Sequence, residues 1–283
     1  MSESKYVPSK KAEALLANFR LLDDDFMTIF FNENFEAVAL VLNIILNRDD
    51  IQIKELQVQK KEKSVEFKGR DAILDIFAID SEGKNYDIEI QRADRGAGRR
   101  RARFLSGVLD SRMLNENQDF SEMRESYVIF ITENDVMKGG LPMYHVERKI
   151  EELGEPFGDG NHIIYVNGSY KNDKTDIGRL MHDFRCTSSI DMFFDVLKMG
   201  MYHYKETEGG RSEVCRAVEK VIEQEKAESR AEGRVEGRAE GKAEGKKEMA
   251  IKLRETGMEL EQIAFLADVT IEVVRSWFGL ADL

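Results

Sequence analysis

"DIFAIDSEGKNYDIEIQ", residues 75–91, decides how this chain is read. An apolar run carries one acid, Asp75; a short polar turn follows; then "YDIEIQ" alternates polar and apolar residues. Side chains on a strand point alternately to opposite faces, so Asp87, Glu89 and Gln91 share one. Where Asp75 stands depends on the turn, because directly opposed residues of a hairpin keep a constant sum of residue numbers. A two- or four-residue turn centred on Glu82-Gly83 gives 165 and sets Asp75 opposite Ile90. A three-residue loop, Ser81-Glu82-Gly83, gives 164 and sets Asp75 opposite Glu89. Three-residue loops favour a left-handed Gly at their last position, where Gly83 stands. The turn chemistry therefore predicts two acids with Cβ atoms about 5 Å apart.

Such a pair is unfavourable unless a proton or a cation bridges it. A hard divalent ion, which takes oxygen ligands, is the natural bridge. Alternating polar residues are also what a solvated sheet face looks like, and "YDIEIQ" alone reads that way. Asp75 within "AILDIFAI" fits that reading less well, since an unpaired carboxylate among apolar neighbours is costly.

Outward from the hairpin, "IQIKELQVQ" (51–59) reads as a strand, and "DAILDIFAID" (71–80) as one covered on both faces. Residues 11–46 read as helical. "GRRRARFLSGVLDSRML" (98–114) is an amphipathic helix burying Ala102, Leu105, Leu109 and Met113. "YVIFIT" (127–132) and "HIIYVN" (162–167) are further strands, and the stretch between them reads as loop with a short helix. "TDIGRLMHDFRC" and "SIDMFFDVLKMGMYHY" continue as helices. These elements make an α/β domain over residues 1–205.

Near residue 224 the composition changes. In "AEGRVEGRAEGKAEGKK", Glu occupies 232, 236, 240 and 244, Gly follows each, and bases stand at 234, 238, 242 and 246. Among these positions the nearest Glu-to-base spacings are two and six, whereas helical ion pairs need three or four. Each Gly costs a helix roughly 1 kcal/mol against Ala. Residues 206–247 thus read as a helix and a flexible or fraying linker, or alternatively as a self-associating helix whose Gly stripe permits close approach. Residues 248–283 read as three short helices, helix-turn-helix-like, with Gly257 stopping the first and Thr270 capping the last. Seven acids, Asp282 among them, face three bases there. That balance is opposite to a DNA reader's and favours a protein-contact role.

The bulk numbers bound the class. The chain has 283 residues, 42% hydrophobic, with a formal net charge of −12, which excludes a generic nucleic-acid-coating protein. Two cysteines in no pairing pattern and four scattered histidines suggest neither a disulfide frame nor a zinc finger. The polar start and the absence of a membrane-length apolar run suggest a cytoplasmic chain without a membrane partner. Against the acidic total, Arg92, Arg95, Arg99, Arg100, Arg101, Arg103 and Arg112 are opposed only by Asp94 and Asp110. Arg99, Arg100 and Arg103 fall away from the apolar stripe. They suit a phosphate backbone, or simply a solvated helix face.

An acid on one strand, an acid-x-Gln on the next and an Arg-rich helix after them resemble the PD-(D/E)XK nuclease superfamily. The resemblance is to the branch with Gln in place of Lys, the recombination-promoting nuclease and putative-transposase family. "DDDFMTIFF" (23–31) resembles that family's opening Asp-x-x-Phe-Lys motif, with Met27 where Lys is common, and "GGLPMYHVER" resembles a later loop. The resemblance implies a restriction-endonuclease-like αβββαβ core with a mixed sheet, plus a helical C-terminal extension. It implies hydrolysis of DNA phosphodiester bonds with Mg²⁺ or Mn²⁺, linked to recombination or mobile elements. Asp75, Glu89 and the Ile90 carbonyl would hold the ion, and Gln91 would take the Lys position. An acid from the first helices often completes such sites; Asp23 is the candidate, with Glu33 or Glu36 as alternatives. A dimer through the C-terminal repeat is expected. The competing expectation is an inactive nuclease fold that only binds nucleic acid or protein.

Overall fold

A computed structural model describes residues 6–62 and 71–280; Asp282 lies outside them. Residues 11–46 form three helices: α1 (Lys10–Asn18), α2 (Asp24–Phe31) and α3 (Phe35–Leu46). Polar side chains set two of the starts. Ser9 accepts the Ala12 amide (3.2 Å) and Asn34 the Ala37 amide (3.2 Å).

Strands β1 (Ile53–Glu62), β2 (Ala72–Asp80) and β3 (Asn85–Gln91) form an antiparallel meander. The hairpin register is the one Gly83 predicted. Ile76 faces Ile88, Phe77 faces Asp87 and Ile79 faces Asn85. Gly83 has φ +82°, and its amide bonds the Asp80 carbonyl at 3.1 Å. Asp80 organises the turn, accepting the amides of Glu82 (2.8 Å) and Lys84 (2.9 Å) and the Tyr86 hydroxyl (2.8 Å).

Helix α4 (Arg99–Asp110) then crosses to β4 (Ser126–Thr132), which lies parallel to β3. Between residues 133 and 160, where a short helix was expected, the described residues hold strand β5 (Met143–Val146) and a two-residue ladder, β6 (Lys149–Ile150) with β7 (Glu155–Pro156). Four apolar-polar residues are too few to show a period in sequence. The loop before β5 is tied by Tyr144, whose hydroxyl accepts the Gly139 (3.0 Å) and Leu141 (3.1 Å) amides and donates to Asp135 (2.9 Å). Strand β8 (Asn161–Asn167) pairs parallel with β4 and antiparallel with β5. The sheet is mixed, in the order β1-β2-β3-β4-β8-β5. On one face, Ala102, Leu105 and Leu109 of α4 pack on Leu74, Phe77, Val128, Phe130 and Tyr165. Ile76, Ile88, Ile90, Ile129 and Ile131 are buried on the other. Helices α2 and α3 contact β1, and α5 (Asp176–Arg185) contacts α3. Helix α6 (Asp195–Glu206) follows.

The chain divides into two compact units, Met1–Val218 and Glu219–Leu283. The division falls inside α7 (Glu208–Glu255), so the repeat expected to fray is continuous helix, and the first helix of the tail is the end of α7 rather than a separate short one. Gly257 does follow its end, with φ +85°. The second unit continues with α8 (Leu260–Ala267) and α9 (Ile271–Trp277), around Ala250, Ile263, Ala264 and Val274. Thr270 stands at the start of α9 without the expected side-chain cap. Among the described residues, no single helix is long and apolar enough to cross a membrane.

Among the described residues nothing requires the repeat's glycines: a Cβ on Gly233, Gly237, Gly241 or Gly245 would meet no atom of theirs within 4 Å. Changing all four to Ala is expected to stabilise α7 by up to about 1 kcal/mol per site, seen as a higher melting temperature by circular dichroism. A lower one would mean that the stripe is packed against something outside the chain.

Candidate active site

The acids come together because the sheet opens at Asp75. Strand β3 stays paired with β4 as far as Gln91 and Thr132, but the β2–β3 pairing stops at Ile76 and Ile88. The β1–β2 ladder omits the Gln59–Asp75 pair, and Gln59 is left-handed (φ +54°). The side-chain alternation slips here too, for Ala72 and Leu74 share one core with Phe77. The parting strands would strand the Ile90 amide; the Asp75 carboxylate accepts it at 3.1 Å. In an extended strand, N–H and C=O of one residue point the same way. The Ile90 carbonyl therefore faces the same gap.

Gln91 ties the two acids. Its Nε2 lies 3.4 Å from Asp75 Oδ2 and 3.3 Å from Glu89 Oε2. Gln59 reaches Asp75 Oδ1 at 3.5 Å. Asp75 is 8% exposed, while Asp87 and Glu89 are completely buried. Among the described residues, both oxygens of Asp87 and Oε1 of Glu89 have no hydrogen-bond partner. Burial, then repulsion from Asp75, pushes Glu89 up to about 8. Burial likewise pushes Asp75 up to about 6. Asp87, beneath α4 between Phe77 and Val128, is raised well above the carboxylate range by burial and then by Glu89. Buried oxygens in excess of their partners call for protons or a cation. The all-oxygen donor set fits a hard divalent cation.

The nearest positive charge is Arg101. Its Nη2 bonds Glu89 Oε2 closely, and its Nη1 lies 3.5 Å from Gln91 Oε1 and 3.3 Å from the Gly96 carbonyl. A Cβ on Gly96 would stand 2.0 Å from Gln91 Oε1, so glycine lets the chain close over that amide. Sequence reasoning counted Arg101 in the cluster but gave it no role. At about 100° per residue, Arg99 and Arg101 flank the buried stripe of α4 on its two sides at similar angles, so helical phase alone did not choose between them. Arg99, Arg100 and Arg103 are exposed; Arg99 lies 4.0 Å from the Met137 sulfur, and the other two make no ion pair among the described residues.

The N-terminal acids divide the work. Asp23 accepts the Arg20 amide (2.8 Å) and guanidinium (3.1 Å) and pairs with Arg92 (2.9 Å). Its exposed neighbour Asp24 is the acid of α2 whose charge helps to raise both Asp75 and Glu89. A run of three aspartates gave no means of choosing between them. Glu33 and Glu36 are exposed, with no hydrogen bond to the acid pair. Met27, in the Lys position of the opening motif, is fully buried.

No curated protein and no solved structure matches the chain. Residues 21–251, which include the splayed hairpin, the arginine helix and both flanking strands, match the family model of the PD-(D/E)XK nuclease family transposases, and the chain belongs to that family.

Proposed function

We propose that the chain is a divalent-metal-dependent DNA endonuclease, acting in recombination or in the movement of mobile elements. The observation that carries this reading is the buried Asp75–Glu89 pair, with a carboxylate oxygen that has no partner among the described residues, beside a helix start that bears three arginines, one of them bonded to Glu89. Asp75, Glu89 and the Ile90 carbonyl would hold Mg²⁺ or Mn²⁺, with Asp24 or Asp23 as the outer acid. When bound, the ion would lower the pKa of a water and offset charge on the scissile phosphate. Gln91 is neutral and cannot act as a base. Its role is to orient the attacking water or the phosphate by hydrogen bonds, with Arg101 adding the positive charge that Gln lacks.

Arg99, Arg100 and Arg103 would hold the DNA backbone. Helix starts favour acids, by about 0.3–1 kcal/mol each, yet α4 has no acid and three bases in its first turn. Such an arrangement costs stability and suits an anion. Replacing Arg99, Arg100 and Arg103 together by Ala is expected to weaken binding to duplexes of any sequence. It should also flatten the salt dependence by about 0.9 log units per lost phosphate contact, read by fluorescence anisotropy from low to physiological salt. We further propose a homodimer through the C-terminal repeat and helices, which would bring two sites to two strands.

The Arg101–Glu89 contact also suits a second reading, a nuclease fold that binds DNA without cutting it. Supercoiled plasmid incubated with the chain, with and without Mg²⁺ and beside Glu89→Ala, separates the two. Metal-dependent nicking lost in the variant supports the enzyme. Retarded but uncut DNA in every divalent ion supports the binding module.

A further inference from the structure

Where α5 ends, His182, Asp183 and Cys186 each offer one ligand atom, and these atoms lie within 4.8 Å of one another. His182 Nδ1 lies 3.3 Å from Asp183 Oδ1 and 3.4 Å from Cys186 Sγ. We propose that these three side chains bind a transition-metal ion, Zn²⁺ by preference, at a site separate from the acidic pair and independent of the nuclease reading.

The geometry suits that ion. Tetrahedral zinc, with bonds of about 2.0–2.3 Å to nitrogen, oxygen and sulfur, holds its ligand atoms roughly 3.3–3.6 Å apart. Two of the three separations already fall there. His182 and Cys186 are four residues apart and so share one helix face. Asp183 is fully buried and held in place by the amides of Phe193 and Phe194, both at 2.9 Å. Its Oδ1 keeps a lone pair for the imidazole side. His182 is half-exposed, so a fourth position is open to water.

Hydrogen bonding alone serves the trio poorly. The same ring nitrogen is close to both Asp183 and Cys186. A neutral imidazole can donate from Nδ1 to the carboxylate or accept there from the thiol, but it cannot do both. A cation between the three atoms satisfies all of them. Burial pushes the Cys186 thiol up to about 11, so it is not an activated nucleophile. On binding, the S–H proton passes to solvent as the metal–sulfur bond forms, with no change of oxidation state. A thiolate and an imidazole also discriminate against Mg²⁺, which prefers oxygen.

The test uses the full chain, stripped with a chelator and titrated with Co²⁺ and then Zn²⁺. One equivalent of Co²⁺ should give thiolate-to-metal charge-transfer absorption in the near ultraviolet, displaced by Zn²⁺ but not by Mg²⁺. The band should vanish in Cys186→Ser and His182→Ala and persist in Cys215→Ser and in Glu89→Gln. As a check that needs no variant, Zn²⁺ should slow alkylation of Cys186 in the wild-type chain at least tenfold, read by peptide mass spectrometry. No band together with equal alkylation rates would overturn the proposal, as would a band that survives Cys186→Ser.

Discussion

Glu89→Gln is expected to abolish metal-dependent plasmid cleavage, by about 10³-fold or more, and at the same time to make the metal-free chain more stable above pH 7. The two effects share a cause. Glu89 is completely buried, and its carboxyl is raised from 4.5 to about 8, chiefly by burial. Between those values the folded chain holds a proton that the unfolded chain has released. Unfolding therefore releases protons, and stability falls as pH rises from about 4 to 8. Asp75, raised to about 6, adds the same trend at lower pH. Gln cannot ionise. The variant should match the wild type near pH 4 and exceed it at pH 8 by on the order of 3–5 kcal/mol before Arg101's lost partner is counted. That corresponds to roughly 5–10 °C in melting temperature. Mg²⁺ should reverse the order, since a ligand that binds only the folded chain stabilises it. Its effect on the wild type should grow from pH 6 to pH 8, as the protons it displaces become easier to lose, and should be missing in Glu89→Gln. Melting curves at several pH values, with and without Mg²⁺, give all of this. A wild-type chain indifferent to Mg²⁺ would remove the metal from these acids.

The parts of this site legible in the sequence were those fixed by short-range chemistry. Gly83 had to be left-handed, and that set Phe77 against Asp87 and Ile76 against Ile88, a register that runs out just before Asp75 and Glu89. The phase of α4 placed Ala102, Leu105 and Leu109 on the sheet. What escaped depends on breaks in regularity. Strict alternation could not foresee that β2 slips at Asp75, or that Gln59, sixteen residues earlier, would leave its own ladder to reach that carboxylate. Nor could local propensity foresee a continuous α7. The repeating Glu and base positions offer no pair at helical spacing, and among the described residues those side chains make one ion pair, Lys246 with Asp268 beyond the helix end (3.5 Å).

Arg101→Ala is expected to slow cleavage by about 10²-fold with little change in melting temperature below pH 7, since the completely buried Glu89, raised to about 8, then holds a proton and leaves no unpaired charge behind. The reason lies in Gln91. The Lys of the PD-(D/E)XK signature brings a positive charge to that position, and Gln brings none. Arg101 stands against both Glu89 and Gln91 Oε1, so it can supply the charge from the helix instead of the strand. Gln91→Lys alone should then fail to raise activity, and should lower it. The new ammonium would face the guanidinium, and Arg101 would lose an acceptor. In the Arg101→Ala background the same Lys meets no rival, and activity should rise at least about tenfold over Arg101→Ala, because residues that share one task are not additive. Cleavage rates for the four chains at saturating Mg²⁺ complete the cycle. If the two losses simply multiply, the positions do not share a charge. If Arg101→Ala is faster than wild type, the guanidinium is a plug on Glu89 that the ion must displace, and the charge at the phosphate comes from elsewhere on α4.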